Sequence, residues 1–274
     1  MEVDVYTCDA VDLPRGGTFS PTTCSLILGE NEAVLVDTQY RAADVDEVIQ
    51  RIDTSGRTLT TIFVTHGHFD HYFGLEMLLE RYPAARAVAT PAVAAHIARN
   101  IVAERASAAR FFEGQALDNT VVPEPLAGGA LWVDESELRV IDLEQADIAP
   151  TSIVHIPSID TVIAGDAIYN GVNPFLAASG PDDWPKWVAS VGRIAGLEPT
   201  TVIAGHKSPA RSDGAECIEE TRHYLASFID LFETCSDSRE LVSRMTDLYP
   251  DHVNPSALVM SAVTAFKQKT RPEG

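Results

Sequence analysis

Basic residues are scarce. Lys and Arg number 20 against 40 Asp and Glu in 274 residues, a formal net charge of −20. A nucleic acid needs clustered cations to displace its counterions, and an anionic membrane makes the same demand, so neither is an expected partner. Small neutral or cationic molecules suit such a field better. Cysteine is sparse as well: Cys8, Cys24, Cys217 and Cys235 stand far apart and form no CxxC pair. That argues against a disulfide framework or a thiolate zinc cluster and for reduced, partly buried thiols. No run approaches the ~18–20 apolar residues of a membrane span. The chain opens MEVDVYTCDAVDLPRGG, with acids where a secretory leader carries basic and apolar residues, so a cytoplasmic protein is expected. No low-complexity linker divides it.

What is present is a regular alternation of short apolar runs and helical periodicity. CSLILGE and EAVLVDT flank the turn GENE and read as a hairpin; Val45, Val48, Ile49 and Ile52 then recur at helical spacing over about 42–52. TTIFVTH is a β-rich run, followed by a helix from Leu75 that Pro83 closes. ARAVAT reads as a strand, and the Ala-rich stretch 91–117 as a helix broken near Gly114, its spacing that of ordinary helix packing. ELRVIDL, TSIVHIP and TVIAGD are strands, Trp184 to Ile194 a helix, and TTVIAGH a strand. Three helices follow, over about 214–234, 238–248 and, with Asn254 as cap and Pro255 in the first turn, to about Lys267. This grammar predicts an α/β domain over 1–212, with a helical extension over 213–274 packed on it.

The chemistry concentrates in His66-Gly67-His68-Phe69-Asp70-His71, four potential ligands in six residues after a strand. Imidazole nitrogen and carboxylate oxygen suit zinc, and also iron, manganese or nickel. Gly67 lets the backbone bend without a side chain in the way. Two further strands end alike: TVIAGD places Asp166 after a glycine, and TTVIAGH places His206 after one. Each glycine would permit close backbone approach to a crowded site.

HxHxDH with a strand-terminal Gly-Asp and a strand-terminal Gly-His resembles the metallo-β-lactamase-fold superfamily over roughly 24–208. The resemblance implies an αββα sandwich, here with extra C-terminal helices, and a metal site along one edge. By carry-over His66 and His68 hold a first metal, Asp70, His71 and His206 a second, and Asp166 bridges them. Asp37, at the end of VLVDT, is a candidate to support the site from behind the ligands, or else a strand-end turn former. The family's third histidine for the first metal falls in LEQADIAPTSIVHIP, where Gln145 stands instead, with Asp147 two residues on. That position is then filled through Gln145, a weak neutral ligand, through Asp147 or water, or left empty. His155 lies within a strand and reads as a core or supporting histidine.

The implied activity is hydrolysis of an ester, lactone, amide or thioester of a small molecule through a metal-activated water, with one or two Zn2+ and with Fe or Mn as alternatives. Asp70 is the candidate proton carrier. Phe69, Tyr169, Asn170, Asn173 and Trp184 are candidate substrate contacts, beside Phe73, Phe175 and Lys207. The alternatives are an iron-dependent oxidoreductase resembling persulfide dioxygenases, and a non-catalytic binding protein with a degraded first metal site. The C-terminal helices are candidates for a homodimer contact.

Overall fold

Strands that are apolar on both faces need cover on both faces, and this chain supplies it in four layers. The computed structural model describes residues 1–269. One sheet runs in space as β1 (Glu2–Thr7), β2 (Thr23–Leu28), β3 (Glu32–Val36), β4 (Thr58–Val64), β5 (Arg86–Ala89) and β6 (Glu124–Pro125). Its first three strands are antiparallel neighbours, and β3 to β6 are parallel. The second sheet contains β7 (Ala130–Val133), β8 (Ser136–Leu143), β9 (Thr151–Ile156), β10 (Thr161–Ile163) and β11 (Thr201–Ile203), in the reverse spatial order. Only β10 and β11 pair in parallel there.

Parallel neighbours require crossovers, and helices supply most of them. α1 (Ala42–Ser55) links β3 to β4; α2 (Phe69–Tyr72) and α3 (Leu75–Arg81) link β4 to β5; α4 (Pro91–Phe112) precedes β6; α5 (Trp184–Ala195) lies between β10 and β11. α6 (Glu216–Thr234), α7 (Ser238–Leu248) and α8 (Pro255–Lys269) follow. The alternation of side chains along each strand sorts the core. Val34, Val36, Phe63, Val154 and Ile163 point between the sheets. Ala33, Leu35, Ile62 and Val64 point outward onto Val45, Val48, Val93 and Ile97 of α1 and α4. On the opposite outer face Ile153, Val162 and Val202 meet Trp187, Phe228 and Leu258. The result is the αββα sandwich expected from the motif, with the additional C-terminal helices.

Three local details differ from the periodicity. The HGHFDH segment is not all turn, since Phe69–Tyr72 forms one helical turn. α4 stops at Phe112, where Glu113 takes a left-handed conformation, and does not reach Leu117. Asn254 does not spend its side chain on α8: its amide nitrogen donates to Ser20 Oγ, and its oxygen accepts from Thr18 Oγ1. That tie fastens the start of α8 to the loop before β2. All four cysteines are free and buried, as their spacing predicts. Among the described residues no helix is long and apolar enough to cross a membrane.

Phe63 is fully buried between the sheets, three residues before His66. Replacing it by Ala should lower unfolding free energy by about 3–5 kcal/mol, read by chemical unfolding followed by circular dichroism.

Candidate metal centre

Four segments end at one edge of the sandwich. β4 delivers Thr65 and then His66 to His71; a tight turn after β10 carries Asp166; His206 follows β11; and the connection between β8 and β9 carries Asp147. The two sheets are joined at this edge by backbone, since Ser152 N donates to Thr65 O at 3.0 Å and His66 bridges to Thr151. The glycines before Asp166 and His206 answer a steric demand. A Cβ on Gly205 would collide with Asp166 Oδ1 and come within 2.6 Å of the Gly165 carbonyl carbon. Gly165 has φ +48°, and a Cβ there would lie 2.8 Å from Thr65 Oγ1.

Asp166, 1% exposed, is the hub. Its carboxylate lies 3.1 Å from His206 Nε2, 3.2 Å from His71 Nε2 and 3.7 Å from His66 Nε2. Asp70 Oδ2 faces His71 Nε2 at 3.4 Å and His206 Nε2 at 3.5 Å, and it accepts the Thr22 hydroxyl at 3.0 Å. Asp147 Oδ2 stands 2.7 Å from His68 Nδ1. The ligand atoms of His66, His68, Asp147 and Asp166 fall within 4.8 Å of one another, as do those of Asp70, His71 and His206. The six strong ligand candidates of the sequence therefore come together. Gln145 donates its backbone N–H to Ser190 Oγ and its side-chain Nε2–H to Ala146 O at 3.0 Å. Two residues on, Asp147 turns inward.

The rings are aimed from behind. Asp37, with φ 58°, accepts Thr65 N at 2.8 Å and Thr65 Oγ1 at 2.7 Å, and it faces His71 Nδ1 at 2.9 Å. Because the Thr65 hydroxyl donates to Asp37, its lone pair is left to accept the Nδ1–H of His66 at 3.0 Å. His206 Nδ1 donates to Pro21 O at 2.9 Å. Each contact turns an Nε2 lone pair inward, the arrangement in which a supporting acceptor fixes the tautomer of a metal-binding imidazole. Asp37 thus has the supporting place considered for it, whereas His155 lies on β9, paired across to Arg139 and Val162.

His66 Nε2, His71 Nε2 and Asp166 Oδ1 are buried and make no hydrogen bond. Buried polar atoms are ordinarily paired, and convergent lone pairs from imidazole and carboxylate are what a divalent cation takes. The residues fit the metal group that the motif implies. Electrostatics agrees. Burial opposes charge on Asp166, but His206, His71 and His66 outweigh it and hold the carboxyl well below its ordinary range. Burial likewise opposes protonation of His71 and His206, yet Asp166 and Asp70 push both upward. His68 is pushed up to about 9 because Asp147 overcomes its burial. His66 goes well below the usual imidazole value, through burial and the neighbouring His71.

Above the cluster opens a cavity of about 370 Å³. Its floor is His68, Asp70, Asp147, Asp166 and His206, and its walls include Phe19, Phe69, Tyr169 and Phe175. Phe69 and Tyr169 thus lie where the sequence reading put them. Asn170, Asn173 and Trp184 do not line this cavity. Asn170 donates to Ser212 O at 2.9 Å; Asn173 donates to Val253 O and accepts from Tyr224 Oη; Trp184 is wedged edge-on between Phe228 and Phe232. Their polarity and aromaticity serve packing beneath the C-terminal helices. Lys207 is held by both carboxylate oxygens of Asp213 at 2.8 Å. Missed by sequence reading were Glu104, Arg110 and Phe111 of α4, and Ala257, Met260 and Thr264 of α8. The Ala-rich periodicity of α4 fits ordinary helix packing better than cover for the site, and nothing local places α8 opposite it.

The family model of the metallo-beta-lactamase superfamily matches residues 17–143. The metallo-beta-lactamase family protein TTHA1429 from Thermus thermophilus superposes with a TM-score of 0.64 at 22% identity, over 97% of this chain and 93% of that one. The chain thus resembles the metallo-β-lactamase superfamily in sequence over residues 17–143 and shares its fold over most of its length. DIM-1 metallo-beta-lactamase, in a structure of the enzyme exposed to ceftazidime, shares the metallo-β-lactamase fold with a TM-score of 0.63 at 16% identity, over 82% of this chain and 93% of that one. FIM-1 from Pseudomonas aeruginosa, in its mono-zinc form, gives 0.61 at 18% identity over 83% and 92%. The uncharacterized protein YobT of Bacillus subtilis (strain 168) is 33% identical over 66 residues, which are 24% of this chain and 28% of the length of that curated relative.

Ligands must shed protons to take a cation. His68 holds its proton up to about 9, and His71 and His206 are shifted upward too. At pH 7 to 8, loading a divalent ion should therefore release protons, and apparent affinity should climb with pH up to about 9. Calorimetric titrations in buffers of different ionisation enthalpy read this directly; proton uptake would contradict it.

Proposed function

We propose that the protein is a metal-dependent hydrolase that cleaves an ester, lactone, amide or thioester in a small, partly apolar molecule. The carrying observation is that the His and Asp cluster forms the floor of the aromatic-walled cavity, so that ligands and substrate space coincide. A divalent ion held there supplies a polarising charge and a water acidic enough to ionise near pH 7. One or two Zn2+ are proposed, and the mono-zinc form of FIM-1 makes a single ion a stoichiometry to test.

The chain's own side chains have separate tasks. His66, His68, His71 and His206 give neutral nitrogen, while Asp70 and Asp166 give charge. Asp70, facing both the ligand cluster and the cavity, is placed to accept a proton from the attacking water and pass it to the leaving group. Tyr169 donates to Asp166 Oδ2 at 3.1 Å, and its ring stacks on His206 with centroids 5.3 Å apart. Tyr169 lines the cavity, and its hydroxyl is the proposed donor to the substrate carbonyl oxygen; burial and Asp166 keep it protonated, as a donor must be. Phe19, Phe69 and Phe175 take the apolar part of the substrate and exclude water.

A second reading is favoured by one observation. The Asp70, His71, His206 group is two imidazoles and a carboxylate, a donor set that also suits ferrous iron in oxygen chemistry. Elemental analysis with oxygen uptake on a persulfide separates it from hydrolysis.

Against a panel of lactones, esters and thioesters, His71→Ala and His206→Ala should each lose bound metal and turnover together; full activity in metal-free protein would refute the reading. Tyr169→Phe should keep its metal and lose about 10²-fold in kcat, the usual effect of removing one donor to a developing oxyanion. An unchanged kcat would take Tyr169 out of the reaction.

A further inference from the structure

We infer that Asp147 is itself a ligand of the first metal position, in the place where the motif's resemblance leads one to expect histidine. The centre then consists of two matched sets, His66, His68 and Asp147 on one side and His71, His206 and Asp70 on the other, sharing Asp166. The inference rests on the metal-centre reading above.

Asp147 is fully buried, and its Oδ1 accepts the Ile148 N–H at 2.7 Å, which fixes the carboxylate. Oδ2 is thereby aimed at His68 Nδ1, 2.7 Å away. The grouping of His66, His68, Asp147 and Asp166 places ligand atoms of two buried carboxylates within 4.8 Å of each other. Two buried like charges that close demand a positive charge among them. A divalent ion held by His68 and Asp147 would supply that charge. Gln145 spends its Nε2 donor on Ala146 O, whereas Asp147 presents an anionic oxygen to the group.

The consequence is one of charge. Asp70, Asp147 and Asp166 set three negative charges against the four positive charges of two divalent ions, leaving one; a histidine at position 147 would leave two. The first position also gains an anionic oxygen where imidazole is otherwise expected, which moves its preference from zinc toward oxygen-seeking ions such as Mn2+.

The competing role is that Asp147 only holds the His68 ring, as a partner of the ligand's second nitrogen. Loss of such a partner weakens binding by about 10–100-fold but removes no ligand. Chelator-treated protein, titrated with Zn2+ and separately with Mn2+ and weighed by native mass spectrometry, distinguishes them. Wild type should take two ions and Asp147→Ala one, while His71→Ala loses the other position. Asp147→His should regain the second ion with preference for Zn2+ over Mn2+ raised at least ~10-fold, which also answers any failure of the alanine variant to fold. Two ions in Asp147→Ala, or one wild-type ion that survives this substitution, would overturn the assignment while leaving the metal centre standing. No ion in wild type would overturn the metal centre itself.

Discussion

Buried charge of one sign has to be neutralised, and the edge of this sandwich is organised around that requirement. Asp70, Asp147 and Asp166 are all nearly inaccessible to solvent and all within reach of one another's imidazole partners. Left alone, such carboxylates would take up protons or pull water into the core. The chain answers with four histidines, three of them shifted toward the charged form by those acids. Protons on the rings and metal ions between them are alternative solutions to one electrostatic problem. The scaffold therefore keeps its ligands gathered before any ion arrives, and the ordering cost of assembling them is met by folding.

That preorganisation is distributed. Thr65 joins Asp37, His66 and, through Ser152, the second sheet, so a single residue couples ligand orientation to the packing of the two layers. Thr22 holds Asp70, and Pro21 holds His206, which makes the loop before β2 part of the site. The same loop is tied to α8 through Asn254 and through Ser256, whose Oγ accepts Thr18 N at 2.9 Å. Gly17 leaves no room for a side chain there, since a Cβ would come within 2.6 Å of Ser256 Oγ. The C-terminal helices are thus coupled to the cavity, with α8 and α4 facing each other across it.

Strand-terminal chemistry was legible in the sequence because an apolar run that ends abruptly in ligands is a pattern of both period and composition. TTIFVTHGHFDH, TVIAGD and TTVIAGH each marked their place, and six ligand candidates followed from them with the fold. The first position was harder to read. The connection between β8 and β9 has no periodicity to fix its register, so the sequence points first to Gln145, with Asp147 or water as alternatives, whereas the side chain that faces His68 is Asp147. The aromatic and amide residues after Asp166 misled for a related reason. Trp184, Asn170 and Asn173 have the chemistry of a binding pocket, but α6 and the Val253 loop, distant in sequence, claim them for packing. Long-range placement decides such residues, and local pattern carries no record of it.

The field of the chain bears on what the cavity can admit. Glu104, Asp70, Asp147 and Asp166 line it, and Arg110 supplies basic charge at its outer wall, where its guanidinium lies 4.9 Å over the Phe111 ring. In the metal-free cavity the histidine protons and Arg110 offset these acids, while the surrounding surface carries the net charge of −20. Two divalent ions in place of those protons would leave the floor positive within an acidic surface. Under the hydrolytic reading an uncharged acyl compound then has the advantage: it crosses the acidic surface without repulsion, places its apolar part among Phe19, Phe69 and Phe175, and turns its carbonyl to the positive charge of the floor.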